Sequence, residues 1–401
     1  MEKLYKTLSG SFLLYSGSYD FDNDLNPFQV NNNFFYLTNI DIPNFTVLYN
    51  RKYNKCFYFF EYKNSIWFDN ENYIKHIHEQ VHDINNIMNY IDNLDIIYSL
   101  DNFNDLNDKL KHKIRITHNL KMIDAICHEN RVIKTEKEID KITLACSYSS
   151  DAITNIIKNI KKLNNEKEIV SLFKVFTLGN YNVDKMSYLP ICSNGTNNSI
   201  LHYTSNNNTL MKKNLILLDI GCKYENYCSD ITRTFPKSGK FTIKQKIIYS
   251  IVLECQKFAI KKLKHNVDWY QLQSDTKIKM YQLLLKEKLV YNTENKIEQN
   301  KIVDVFMPHS LGHTLGLDVH DTKPNGNLHI LKKNMVITIE PGIYFIKHLL
   351  EKNEFINQNE IKKYINIGGI RIEDTILINE LDCKVLSNSP KEIIDIETIS
   401  K

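Results

Sequence analysis

Four carboxylates and one histidine stand in a fixed order inside or beside apolar, strand-like runs: Asp219, Asp230, His313, Glu340 and Glu373. The runs read LILLDIG, YCSDITRTF, PHSLGHTLGLDVHD, VITIEPGIYF and GGIRIEDTILI. Runs of this kind form interiors, and a carboxylate in an interior is costly unless something positive compensates it. Four negative charges are cancelled by two divalent cations. The chain is therefore constrained to a strand-bearing fold with a charge problem in its interior, and a metal site solves that problem.

Each candidate has a local reading. Residues 214–221 form a strand that ends at Asp219, residues 222–227 a polar turn, and residues 228–235 the return strand. A hairpin of this length is expected to set Asp219 and Asp230 across from one another on one face. Two bare carboxylates so placed repel, and a bound cation reverses the sign. Strand alternation puts Glu340 on the face opposite Ile337 and Ile339, and puts Glu373 on the face of Arg371. His309 and His313 stand four apart, with Gly312 between them. His313 is expected to be a ligand, and His309 to lie nearby in a substrate pocket. Four oxygen donors and one nitrogen suit Mn²⁺, Co²⁺, Fe²⁺ or Zn²⁺ better than Ca²⁺. Two such cations about 3.5–4 Å apart deprotonate a bridging water near neutral pH and polarise a carbonyl, which is the machinery of metal-assisted amide hydrolysis.

The organisation of the chain fits this reading. The first ~125 residues alternate short aromatic-rich runs with polar linkers. NNFFYLTNI, FTVLYN and KCFYFFEY are expected as consecutive strands, NYIKHIHEQVHDINNIMNYI as a helical stretch, and DIIYSL as a further strand. This describes a small α/β domain over residues 1–128, followed by a larger domain over 129–401. The larger one opens on Thr135-Glu-Lys-Glu138, a capping box that starts a helix. A second box, Thr242-Ile-Lys-Gln245, opens a helix through about Leu263, and a third helix spans Trp269 to Lys288. Long helices segregated from short strands describe an α+β fold.

Composition excludes several alternatives. Of 401 residues, 42% are hydrophobic, enough for two domains or one large one. The net charge of +4 is spread along the chain and gathers in no basic block, which argues against nucleic acid as a partner. The opening MEKLYKTLSGSFLLYSG has no apolar stretch of signal-peptide length, and no run approaches the ~18 apolar residues of a membrane span. The eight cysteines form no CxxC pair and read as free thiols of a reducing, cytoplasmic compartment.

At these residues the chain resembles the pita-bread metallopeptidases, the group of methionine aminopeptidase, aminopeptidase P and prolidase (Xaa-Pro dipeptidase). Its motifs SNGTNNSILHYT, LDIGCKYENYCSDITRTFPKSGKFT, FMPHSLGHTLGLDVHD, EPGIYFIKHLLE and GGIRIEDTILI are most similar to eukaryotic-type prolidase over most of residues 130–390. FQVNNNFFYLTNI resembles the start of the family's non-catalytic, creatinase-N-like domain. The resemblance implies a pita-bread catalytic domain and a dinuclear centre, most simply of Mn²⁺. Asp219 would chelate one metal, Asp230 and Glu373 would bridge both, and His313 and Glu340 would hold the other. Glu340 would also shuttle a proton from a metal-bridging hydroxide or water to the leaving proline nitrogen. His202 and His320 would hydrogen-bond the scissile peptide and its tetrahedral intermediate, and His309 would lie against the residue after the cleaved bond. Arg371 would pair with ligand carboxylates, and Tyr188 matches a tyrosine that supports them. Trp67 would close the pocket of a partner subunit across a homodimer.

One departure separates the chain from that pattern. Prolidases of this type carry a longer segment between the DVHD and EPG motifs, with an arginine that grips the dipeptide's C-terminal carboxylate. Here the segment is TKPNGNLHILKKNMVITI, which has no arginine. Lys323, His329, Lys332 and Lys333 are its cationic candidates, and a lysine point charge lacks the bidentate fit of a guanidinium. The resemblance thus implies hydrolysis of Xaa-Pro bonds and leaves open whether the substrate is a dipeptide or, as in aminopeptidase P, a longer peptide. A non-hydrolytic binding protein of the same fold is the remaining alternative.

Overall fold

The computed structural model describes residues 4, 7–8, 10–19, 28–62, 70–91, 97–100, 121–181, 183, 185–322 and 329–400. They divide after Arg131 into two units, Met1–Arg131 and Val132–Lys401. All eight cysteines are free thiols. No described helix is long and apolar enough to cross a membrane.

The first unit is built on a five-stranded sheet in the order β4-β3-β2-β1-β5. Its strands are β1 (Ser11–Tyr15), β2 (Phe45–Asn50), β3 (Lys55–Phe60), β4 (Val81–Asp83) and β5 (Ile97–Ser99). FTVLYN, KCFYFF and IYS are strands, as their β-branched and aromatic content dictates. NNFFYLT is not: Asn32–Thr38 is a helix. The Asn31 side chain accepts from the Phe34 N–H and Asn39 closes the helix in the left-handed region at φ 58, so caps override aromatic strand propensity. The helical stretch expected over residues 72–91 also breaks up, into the short helices Asn70–Ile74 and Met88–Ile91 with β4 between them. Tyr58 and Phe60 of β3 recruit β4 in parallel, and this long-range pairing is invisible to local periodicity.

The second unit has the expected α+β layout. Thr135 and Glu138 form the capping box of helix Glu136–Asn159, and Thr242 and Gln245 that of helix Ile243–Lys262. Such caps contribute about 1 kcal/mol each. Helix Trp269–Lys286 follows. Helices Glu166–Asn180 and Lys296–Phe306 were not anticipated; both are capped by asparagines, Asn165 and Asn295, whose signal is lost in an Asn-rich chain. Against the helices lie short sheets: β7 (Ile191–Asn194), β8 (Leu215–Asp219) and β11 (Thr232–Pro236) in the order β11-β8-β7, and β12 (Val336–Ile339), β15 (Asp374–Ile378) and β16 (Cys383–Val385) in the order β12-β15-β16. A two-stranded ribbon joins β13 (Gly342–Tyr344) to β14 (Gly369–Arg371).

One face of each sheet feeds the core. Ile216, Leu218 and Phe235 pack with Ile153, Ile156 and Ile157 of the first long helix. Ile337, Ile339, Ile376 and Ile378 pack with Ala259 and Leu263 at the end of the second. The polar positions that alternate with these residues point the other way, and there the site is assembled.

The hairpin expected between Asp219 and Asp230 is interrupted. Cys222–Tyr224 (β9) and Tyr227–Cys228 (β10) form a tight hairpin of their own, turning through Glu225 and Asn226 at φ 45 and 68, and pair with β6 (Lys185–Met186) in a separate sheet. Gly221 allows the crossing, because a Cβ there would lie 2.0 Å from the Ser229 carbonyl oxygen. The residue opposite Asp219 is therefore Thr232, and Asp230 stands two positions before it.

Candidate metal centre

Strand ends set the five candidates. Asp219 closes β8, Asp230 precedes β11, Glu340 follows β12, and Glu373 lies between β14 and β15. His313 sits in a loop laid along β12: its N–H donates to Thr338 Oγ1 at 3.1 Å, and the Thr338 N–H returns to the His313 carbonyl at 2.8 Å. Gly312 makes this approach possible, since a Cβ there would lie 2.0 Å from the Thr338 carbonyl oxygen.

These residues converge. One ligand atom each from Asp230, His313 and Glu373 lie within 4.8 Å of one another. His313 Nε2 is 3.5 Å from Asp230 Oδ2 and 3.6 Å from Glu340 Oε1. The Tyr188 hydroxyl lies 2.5 Å from Asp219 Oδ1 and 2.7 Å from Asp230 Oδ1, joining the two aspartates through one phenol. Arg371 Nη2 donates to Asp219 Oδ2 at 2.6 Å. Arg371 Nε donates to Thr232 Oγ1 at 3.1 Å, and that hydroxyl donates to Glu373 Oε2 at 2.8 Å.

The electrostatics show an excess of negative charge. Burial pushes the Glu373 carboxyl well above the usual range, and Asp230, Glu340 and Asp219 push it further. Glu340 is raised to about 7, mainly by burial, with His313 and Arg371 opposing. Asp219 is raised by burial too, against the pull of Arg371. Burial alone would lower His313, yet Asp230 and Glu340 hold it up to about 9. Left to themselves these side chains compensate their charge with protons, and a divalent cation competes for the same oxygens. His313 is prepared for a cation as well. Its Nδ1 lies 3.1 Å from the Thr314 carbonyl, an acceptor for the ring proton there, so a cation that displaces the Nε2 proton would find that nitrogen directed at the carboxylates. The donor set thus fits hard or borderline divalent metals.

The other expected residues fall into place unevenly. The His320 ring stands 4.3 Å from that of His313, edge to face. His309 Nδ1 lies 2.8 Å from the Ser310 carbonyl and Nε2 lies 3.0 Å from the Tyr344 hydroxyl. Both its nitrogens are occupied, and burial together with Arg371 lowers it to about 4, so the ring is neutral. His202 is exposed and makes no polar contact with the cluster among the described residues; its neighbours Leu201 and Tyr203 pack with Tyr344. His329 lies 3.7 Å from Asp268 and against Tyr270, and Lys332 and Lys333 are exposed. Trp67 and Lys323 lie outside the described residues.

Sequence reasoning missed three participants. Thr232 links Arg371 to Glu373, and its position two after Asp230 in one strand-like run of the sequence was the available signal. Tyr344 accepts from Arg371 Nη1 at 2.8 Å and meets His309. Arg233, fully buried, donates to the Glu373 carbonyl at 2.6 Å and to Asp374 Oδ1 at 2.7 Å. Neither of the last two roles is readable before the strand pairing is known.

Comparison with known proteins places this arrangement. The sequence profile of Metallopeptidase family M24 matches residues 140–380. A probable Xaa-Pro aminopeptidase of Ajellomyces dermatitidis is 35% identical over 298 residues, covering 68% of this chain and 64% of that protein. The chain thus spans less than two thirds of that relative's length. Among solved structures, zinc-substituted Escherichia coli aminopeptidase P in complex with product superposes over 100% of this chain and 96% of its own, at TM-score 0.84 and 23% identity. Icp55 from Saccharomyces cerevisiae does so over 100% and 95%, at TM-score 0.79 and 27% identity. The fold is the pita-bread fold that the motifs implied. The Ajellomyces and Escherichia coli proteins carry the aminopeptidase name, where the motifs had suggested dipeptidase.

Proposed function

The chain belongs to metallopeptidase family M24, and from that premise we propose that it is a dinuclear-metal Xaa-Pro aminopeptidase, releasing the N-terminal residue that precedes proline. The observation that carries the reading is the convergence of Asp230, His313 and Glu373 within 4.8 Å, among carboxyls that burial and mutual repulsion push upward. Asp219 would hold one cation, Asp230 and Glu373 would be shared, and His313 and Glu340 would hold the other. Two divalent cations, manganese in this reading, would supply an acidified water as nucleophile and Lewis acidity toward the scissile carbonyl.

The chain's own groups do the rest. Glu340, beside His313 in the cluster, would accept a proton from the nucleophilic water and return it to the leaving proline nitrogen. Arg371 fixes Asp219, and Thr232 fixes Glu373. His320, whose ring stands against that of His313, would donate to the substrate carbonyl oxygen, and His202 is assigned the substrate peptide on the strength of its motif. With both nitrogens bound, His309 offers a neutral ring wall to the proline side rather than a hydrogen bond.

The names of the relatives and the arginine-free segment before Glu340 both favour peptides longer than two residues. A homodimer, closed at each pocket by the partner's copy of Trp67, and a cytoplasmic location belong to the same reading and rest on the family resemblance. The test is an assay with Mn²⁺ on Gly-Pro, Ala-Pro and a longer Xaa-Pro-Xaa peptide. Release of the first residue from the longer peptide is expected. Turnover of the dipeptides alone would restore the dipeptidase reading, and no turnover by metal-loaded protein would overturn the peptidase reading.

A further inference from the structure

We propose that the buried ion pair of Lys134 and Asp321 is a positioning device for the His313 and His320 side chains. It rests on the metal-centre reading above. Lys134 Nζ lies 2.8 Å from Asp321 Oδ2, and both side chains are 1% exposed. Neither residue is one of the five candidates of the carboxylate cluster. Their placement is what matters. His313 precedes Thr314 and His320 precedes Asp321, and these two following residues are bonded to each other. The Asp321 N–H donates to the Thr314 carbonyl at 2.9 Å, and Thr314 Oγ1 donates to the Asp321 carbonyl at 2.8 Å. Residues 314–321 therefore form a loop closed at its base, with His313 just outside one closing residue and His320 just inside the other.

Two anchors hold this base to the rest of the unit. Thr314 is bridged to Ile337 of β12. Asp321 is held by Lys134, the residue immediately before the N-cap of helix Glu136–Asn159. Lys134 is itself fixed, because its N–H donates to the Asn334 carbonyl at 2.9 Å. The loop is shaped around the pair. A Cβ on Gly316 would lie 2.2 Å from Asp321 Oδ2 and 3.1 Å from Lys134 Cε, so only glycine leaves room for the carboxylate. A buried pair of this kind contributes little net stability but penalises every arrangement that separates its members. Here the penalised arrangements are those that move His320 away from His313. Lys134 and Asp321 act through those histidines.

The test uses the full chain with Lys134→Met, Asp321→Asn and Gly316→Ala, the last of which keeps both charges and displaces them. Each is stripped with chelator and titrated with Co²⁺, following the visible absorption that reports ligand geometry, and melted in parallel. The expected result is an affinity weaker by about tenfold or more, as for other groups that orient a ligand, with an altered absorption band. On peptide, kcat should fall more than KM rises. A variant that melts lower yet binds Co²⁺ within twofold of the unaltered chain, with the same spectrum, would reduce the pair to a brace of the fold and overturn the proposal. If Lys134→Met does not fold, Asp321→Asn and Gly316→Ala decide it by the same readings. Should the unaltered chain itself bind no Co²⁺, the metal-centre reading fails and this inference falls with it. Metal binding without peptide turnover would sink only the peptidase reading.

Discussion

Glu373 and Asp374 are chain neighbours, equally buried, and their carboxyls are driven in opposite directions. Burial would raise Asp374, but Arg233 at 2.7 Å, Lys391 at 2.5 Å and the Ser387 hydroxyl hold it down to about 2. Glu373 faces Asp230, Glu340 and Asp219, with one hydroxyl as its donor, and is pushed well up. Burial is common to both, so it is the partners that separate them. One carboxylate is neutralised from within the chain and belongs to the architecture. The other is left for something outside the chain to neutralise. Glu373, just before β15, and Asp374, its first residue, thus turn to different partners, and one dipeptide supplies both a candidate ligand and a buried ion-pair partner.

Substitutions that exchange these fates break the comparison most sharply. Asp230→Ala or Glu373→Ala is expected to abolish peptide hydrolysis, while chelated protein melts no lower than the parent because the crowding of buried carboxyls is relieved. A variant with normal turnover would contradict the roles assigned to these residues. Arg233→Met should do the reverse. It leaves Asp374 short of a partner and costs about 3–5 kcal/mol of stability, measured by urea unfolding of chelated protein, with any loss of activity following from that. If Arg233→Met leaves stability untouched, the internal neutralisation of Asp374 is misjudged.

The two carboxyls should also part company with pH. Asp374 is depressed when folded, so its stabilisation is complete above the unfolded value near 3.9 and is lost as pH falls toward about 2. Glu340 is raised when folded, so metal-free protein binds more protons than its unfolded chain and loses stability as pH climbs from roughly 4.3 toward about 7. The gain in melting temperature on adding Mn²⁺ should therefore grow across that upper window. A gain that shrinks there would mean that the metal does not compete with these protons. The smallest effect is expected from Thr232→Val. Losing the hydroxyl between Arg371 and Glu373 should weaken metal binding by about 10–100-fold and leave the fold intact, as titration and thermal melting would show.

How far the sequence announced this structure follows from what each feature depends on. The five converging candidates were legible because a carboxylate in an apolar run is conspicuous wherever the run pairs. Tyr344 and Arg233 were not, because their importance comes from strand partners. β13 pairs with β14 and so brings Tyr344 to Arg371, and the Arg233 side chain reaches the Glu373 carbonyl across 140 positions. Tyr188 was visible only through resemblance, since nothing local marks a phenol that will join two aspartates. In the first unit, asparagine caps turned an aromatic run into the helix Asn32–Thr38, and a long-range pairing split the stretch over residues 72–91. Capping boxes with two reciprocal residues, at Thr135 and Thr242, were read correctly, whereas single asparagine caps were lost among many asparagines.

The central claim is that the cluster around Glu373 is completed by cations rather than by the chain. Titrating chelator-treated protein with Mn²⁺ at pH 7 in a weak buffer, with bound metal and released protons counted together, tests it most directly. The account predicts saturation at two ions per chain, with net release of protons and loss of saturable binding in Glu373→Ala. Absence of saturable binding, or binding that Glu373→Ala leaves unchanged, would contradict it.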